Sequence, residues 1–279
     1  MIIYGVLAEE SVLRLFTAGW IPGLLLGACF MSMIMFITWR NPELIPESER
    51  KLRHLPFTAR VAALKELAPA MFLIICVIGS MYAGVATPTE AAALGVLGAF
   101  GVAKKQGAIT WETIRAVAVG TVQSCSMMGM IIVGATILGS ATAALGVPDA
   151  VTKLVTEFNL PPFGLIILLM LMYLVLGMFL EGFSMIATTL PVVLPLITAA
   201  GFDKIWFGIF MVLAVEMAQI TPPVAFNLSI IQGITGIPMG RLWRVTLPFL
   251  LTMMAFTLLL AIFPQIVLWF PNYVLGIAR

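Results

Sequence analysis

Long apolar stretches separated by short polar links recur from one end of the chain to the other. Two of them, 163–180 and 245–263, hold 18 and 19 residues without a charge. At about 1.5 Å per residue, a helix of that length nearly matches a hydrocarbon core of roughly 30 Å. The pattern predicts a stub at 1–8, spans at 17–39, 69–87, 89–103 and 116–142, two apolar arms at 163–180 and 185–200, a helix at 205–233 and a last span at 245–263. An amphipathic stretch at 148–158 is stopped by Pro161-Pro162. The expected fold class is an all-α integral membrane protein of many spans.

One long polar segment interrupts this pattern. Between Arg40 and Glu66 it carries Arg40, Arg50, Lys51, Arg53, Arg60 and Lys65, and basic residues beside a span mark the cytoplasmic side. Its second half, 57–67, has the spacing of a helix lying on the membrane surface. The span at 17–39 therefore runs inward, and the next three alternate. Arg241 and Arg244, before the last span, fall in the cytoplasm if 163–200 makes no net crossing. The two arms around Glu181-Gly182-Phe183-Ser184 are then a helical hairpin that enters and leaves on one side, although two complete crossings give the same parity. Pro191 and Pro195 weaken its second arm. Thr221-Pro222-Pro223 breaks the helix at 205–233, since neither proline donates a backbone hydrogen bond.

A weak internal repeat accompanies the break. Ile2-Ile3-Tyr4-Gly5 precedes Pro22-Gly23-Leu24-Leu25, and Ile230-Ile231-Gln232-Gly233 precedes Pro248-Phe249-Leu250-Leu251. The two spans concerned run in opposite directions, and oppositely oriented repeats with broken helices typify secondary transporters. Residues 1–39 then close a first repeat, 40–67 form a cytoplasmic loop with a surface helix, and 68–279 form the second repeat. The first copy lacks the hairpin and break of the second, so the chain is expected to be truncated at its N-terminus.

Composition agrees with the bilayer. Hydrophobic residues make up 61% and charged residues 10% of 279 positions, against about 25% charged in soluble domains. A mean hydropathy of +1.10 leaves little surface for water. The net charge of +2, with no basic cluster among aromatics, does not suit nucleic acid. Cys29, Cys76 and Cys125 lie in apolar runs without metal-ligand spacing, and His54 is the single histidine, which excludes a His-based zinc or haem site. A membrane-embedded enzyme needs convergent Ser/His, Asp/Asp or His/Glu groups at depth, and the sequence offers none.

The candidate chemistry sits around 177–227. Thr221-Pro222-Pro223 is either a packing kink or an unwound segment whose carbonyls and hydroxyl bind a cation; irregular backbone at membrane depth needs protein or a cavity around it. Ser184 offers a hydroxyl at the hairpin tip. Asn227 either holds a polar substrate group or bonds neighbouring backbone. Intramembrane carboxylates are costly and usually functional. Glu181 alternatively caps a helix or lies at a hydrated tip, and Glu216 alternatively faces an interface or pairs with Lys204. The methionines of Met127-Met128-Gly129-Met130, without Cys or His beside them, are packing residues.

Three motifs carry a resemblance: Gly84-Val85-Ala86-Thr87-Pro88-Thr89-Glu90-Ala91-Ala92-Ala93, Gly177-Met178-Phe179-Leu180-Glu181, and Gln219-Ile220-Thr221-Pro222-Pro223-Val224-Ala225-Phe226-Asn227-Leu228. In this order, over the whole chain, the sequence resembles the large membrane subunit of tripartite ATP-independent periplasmic (TRAP) transporters, the DctM type. The resemblance implies an elevator-type, sodium-coupled importer of organic acids, such as C4-dicarboxylates, in a bacterial inner membrane. It implies a small membrane subunit and a soluble periplasmic substrate-binding protein as partners, sodium as coupling ion, and no other cofactor. Carried onto matching positions, it assigns a mainly backbone sodium site to Gly177, Ala218, Thr221 and Val224, with Ser184 and Asn227 beside the substrate. Ala218 and Ala225 stand where the family often has glycine, which narrows close approach. The alternatives are a stand-alone ion-coupled carboxylate transporter and a non-transporting membrane assembly subunit.

Overall fold

The structure, a computed structural model, describes residues 1–44, 67–107, 109–147, 150, 151, 153 and 161–274. Every regular element among them is helical: α1 (Ile2–Leu7), α2 (Val12–Arg40), α3 (Ala68–Tyr82), α4 (Pro88–Lys105), α5 (Trp111–Ala144), α6 (Pro162–Gly177), α7 (Gly182–Ala199), α8 (Lys204–Gln219), α9 (Phe226–Thr235), α10 (Met239–Ile262) and α11 (Gln265–Val274). Four of them, α2, α5, α7 and α10, are long and apolar enough to cross a bilayer, and α3 and α6 are shorter apolar helices. The chain is a multi-span helical membrane protein. The basic loop lies outside the described residues from 45 to 66, together with most of its surface helix at 57–67. Most of the amphipathic stretch at 148–158 does too.

Helix ends follow local chemistry rather than the apolar pattern alone. The expected span at 69–87 stops at Tyr82, because Gly84 takes φ +68° and the Ser80 carbonyl accepts from the N–H groups of Val85 and Ala86. Next, Thr87 and Glu90 form a reciprocal capping box with Pro88 in the first turn, which starts α4. Asp203 caps α8 by accepting from the N–H groups of Ile205 and Trp206 at 2.7 and 3.2 Å. Pro191 and Pro195 leave α7 continuous, contrary to the expected weakening. The buried side chains around them, Leu190, Val193, Leu196 and Ile197, supply packing that outweighs the missing ladder bonds. Sequence pattern also missed α11, which begins right after Pro264.

The chain divides into two compact units, 32–125 and the combination of 1–31 with 126–279. Within the first, α3 packs along α4, and two glycines of α4 make the contact close. A β-carbon at Gly95 would come within 2.8 Å of Val77 Cγ2, and one at Gly98 within 2.6 Å of Leu73 Cδ2.

The second unit is organised around α8, which packs against α6, α7, α10 and α11. Phe202, Trp206 and Phe210 stack in series along it, at centroid distances of 4.9 and 5.9 Å. Trp206 also mends a neighbour. The Leu260 carbonyl would normally accept from residue 264, which is proline, and the buried indole Nε1 donates to it instead at 3.0 Å. From the N-terminal stub, fully buried Tyr4 donates to the Lys204 carbonyl at 2.6 Å, and α1 packs on α7. Pro22 and Pro248 lie inside α2 and α10 respectively, near corresponding positions.

Candidate functional site

The hairpin and the helix break meet. At 16 and 10 residues, α8 and α9 are about 24 and 15 Å long, and both pack along α10, which spans about 36 Å. The break between them thus lies part-way down a full-length span. The hairpin tip reaches the same level. Gly177, at the end of α6, is so close to α8 that a β-carbon there would collide with that of Ala218 and lie 3.0 Å from its Cα. Opposite it, a β-carbon on Gly182 would lie 2.7 Å from both Gln219 Nε2 and Val215 Cγ1. Two glycines of the tip therefore let two helix ends seat against the last turn of α8. Farther along the hairpin, Tyr173 and Thr189 share a hydrogen bond of 2.9 Å that ties its arms together.

Backbone satisfaction around the break decides which oxygens remain free. Without prolines, the carbonyls of Ala218 and Gln219 would accept from residues 222 and 223. The Ala218 carbonyl is rescued by the N–H groups of Ile220 and Thr221, the latter at 3.1 Å, whereas that of Gln219 has no donor among the described residues. The Gly177 carbonyl has none there either. Thr221 is 6% exposed, and its hydroxyl donates to the Met217 carbonyl at 2.7 Å. The hydroxyl proton is thereby committed, and its oxygen presents lone pairs only. Val224 is 49% exposed, and its carbonyl accepts from the Ser229 hydroxyl at 2.9 Å. Pro222-Pro223 is a cis peptide.

Ala225 explains one departure from glycine in a new way. It is fully buried with φ +43° and ψ +60°, the left-handed region, where a β-carbon costs about 1–2 kcal/mol. The other departure, Ala218, is accommodated because residue 177 is glycine.

Ser184 and Asn227 are both half-buried, on α7 and α9 respectively. These helices share no extended interface; each adjoins α8. The side chains of Ser184 and Asn227 form no hydrogen bond among the described residues, although the Ser184 carbonyl accepts from Thr188 Oγ1 at 2.7 Å. Glu181, Glu216 and Gln219 line one cavity of about 160 Å³ beside the tip. Lys204 and Glu216 stand twelve residues apart on one helix, about 18 Å, which is too far to pair. No group of three His, Cys, Asp or Glu side chains suited to a metal ion occurs among the described residues. Sequence reading missed Gln219 and Ser229. The position of Gln219, four residues before Pro223, was the available signal for the former.

The sequence matches known proteins over nearly its whole length. The sequence profile described as "Tripartite ATP-independent periplasmic transporter, DctM component" matches residues 1–266. The C4-dicarboxylate TRAP transporter large permease protein DctM of Pseudomonas aeruginosa is 30% identical over 280 residues, covering 98% of this chain and 63% of that protein. The sialic acid TRAP transporter large permease protein SiaM of Vibrio cholerae is 29% identical, with 99% and 64% covered. The isethionate TRAP transporter permease protein DctMQ of Oleidesulfovibrio alaskensis is 28% identical, with 96% and 42% covered. The chain thus spans less than two thirds of the length of these relatives.

Proposed function

The chain belongs to the DctM component family of tripartite ATP-independent periplasmic transporters, a family of multi-pass bacterial inner-membrane proteins and not of enzymes, and from that premise we propose that it serves a sodium-coupled importer of organic acids. In this reading it acts in the large permease subunit, beside a small membrane subunit, and takes substrate from a periplasmic binding protein. The contact of Gly177 with Ala218 carries the proposal, because it joins the hairpin tip to the helix break in one site.

Sodium is a hard cation that prefers oxygen, and this site is rich in oxygen. Gly177 offers an undonated carbonyl, Thr221 an oxygen whose proton is spent on Met217, Val224 a carbonyl with a second lone pair, and Ala218 a carbonyl that accepts from Ile220 and Thr221. Gln219 adds another carbonyl at the same turn. The hydroxyl of Ser184 and the amide of Asn227 remain to engage the acid group of the substrate. The names of the relatives include a C4-dicarboxylate, sialic acid and isethionate, all of them organic anions. Cation and anion at adjoining positions offset each other's charge, which lowers the cost of taking either into a low-dielectric core. The hairpin unit then crosses against a fixed scaffold.

The test is uptake of a radiolabelled organic acid into proteoliposomes containing both membrane subunits, with and without the binding protein. Uptake should need an inward sodium gradient and the binding protein together. Uptake of equal rate in sodium and potassium would refute the coupling, and uptake without the binding protein would favour a stand-alone carrier.

A further inference from the structure

Ser229 has no role in any motif, yet it makes the one hydrogen bond among the described residues to the last oxygen of the break. Its hydroxyl donates to the Val224 carbonyl at 2.9 Å, five residues back, while its N–H already serves the Ala225 carbonyl at 2.9 Å. The Val224 carbonyl belongs to the peptide between Val224 and Ala225, and Ala225 sits at φ +43°. Rotating that peptide by half a turn would reverse the carbonyl and take φ of Ala225 out of the left-handed region to the negative side. The observed orientation therefore carries the cost of a left-handed alanine, and the Ser229 hydrogen bond opposes its reversal. Thr221 and Val224 bracket two prolines, so no ladder bond within this loop can do the same work.

We propose that Ser229 is a positioning residue for cation binding, whose hydroxyl holds the Val224–Ala225 peptide in the orientation that keeps the Val224 carbonyl available to sodium. This rests on the reading of Val224 as a backbone ligand. The carbonyl has two lone pairs, so accepting from Ser229 does not exclude a cation. Ser229 touches the ion only through that carbonyl.

The experiment measures the thermal unfolding midpoint of the purified protein in detergent, titrated with sodium chloride against choline chloride at constant ionic strength. A ligand bound by the folded state alone raises that midpoint, so the titration reads affinity without transport. Ser229→Ala should raise the half-saturating sodium concentration about threefold to tenfold, the equivalent of one hydrogen bond. Its midpoint in choline should change little. Ser229→Thr keeps the donor and should restore the wild-type curve. Ser229→Cys, a weak donor of similar size, should shift the curve in the same direction as Ser229→Ala and serves if the alanine variant is poorly folded. Thr221→Val reports on the site independently. A wild-type curve for Ser229→Ala and Ser229→Cys, with a shifted curve for Thr221→Val, overturns the positioning role and leaves the site standing. Curves unchanged in all these variants, or a wild-type protein insensitive to sodium, overturn the site itself.

Discussion

Replacing Gly177 by alanine puts the union of hairpin and broken helix under direct strain. The added β-carbon would overlap that of Ala218 and stand 3.0 Å from its Cα and 3.5 Å from its carbonyl carbon, against about 3.5–4.0 Å for comfortable carbon contacts. Two of these three atoms are backbone and the third is rigidly attached to it, so relief requires α6 and α8 to separate. Overpacking of that kind costs about 1–3 kcal/mol, and the lack of a flexible partner puts this site near the top. Alanine returns up to about 1 kcal/mol of helix propensity, less at a helix end, leaving a net loss of about 2 kcal/mol. Ala218→Gly alone loses about 1 kcal/mol of propensity and about 0.8 kcal/mol for a buried methyl. Independent effects would sum to about 4 kcal/mol in the double variant. Gly177→Ala with Ala218→Gly should instead lose about 2 kcal/mol, since the overlap disappears and only the 3.0 Å approach to Cα remains. Denaturant unfolding in detergent, followed by tryptophan fluorescence, supplies the cycle. Gly120→Ala, which meets nothing within 4 Å, is the control and should be neutral or stabilising. Single-variant losses that add to within about 0.5 kcal/mol would refute the contact.

Other expectations follow from neighbouring features. Thr221→Val should weaken sodium activation of uptake at normal membrane abundance, whereas Thr257→Val, also buried and bonded alike to its i−4 carbonyl at 2.8 Å, should not; identical sodium curves would remove the hydroxyl from the site. Trp206→Phe strands the Leu260 carbonyl and should cost about 1–3 kcal/mol in the same unfolding assay. Ala225→Gly relieves a left-handed residue worth about 1–2 kcal/mol but loses a buried methyl worth about 0.8 kcal/mol and adds glycine's entropy cost, so it should be near neutral; a loss as large as the about 2 kcal/mol expected of Ala218→Gly would contradict the left-handed backbone. In a background without native cysteines, Asn41→Cys should label only from the cytoplasm and Tyr273→Cys only from the periplasm, and labelling of both from one face would overturn the crossing count.

Spans were legible because the apolar period and the charges at their ends are properties of contiguous residues. The break at Thr221-Pro222-Pro223 was legible for the same reason: proline removes a donor wherever it stands. Tertiary facts were not. That Gly177 lies on Ala218 depends on which faces of α6 and α8 meet, and the sequence states the smallness of both residues but not their pairing. The same holds for Trp206 and Leu260, 54 residues apart, although Pro264 announces that some outside donor is needed. α11 escaped notice because Pro271 disfavours it locally, and its packing against α8 and α10 overrides that proline. Ser229 was hidden by its spacing, since an i to i−5 bond to a carbonyl outside the helix follows no helical periodicity.

Whether the hairpin tip and the helix break together form a cation site is tested most directly by cryo-electron microscopy of the purified protein in sodium chloride and in choline chloride. In sodium alone, a discrete density peak should stand among the backbone oxygens of Gly177, Ala218 and Val224 and the hydroxyl of Thr221. No such peak in well-resolved sodium maps, or one placed instead between Glu181 and Glu216, would contradict the site.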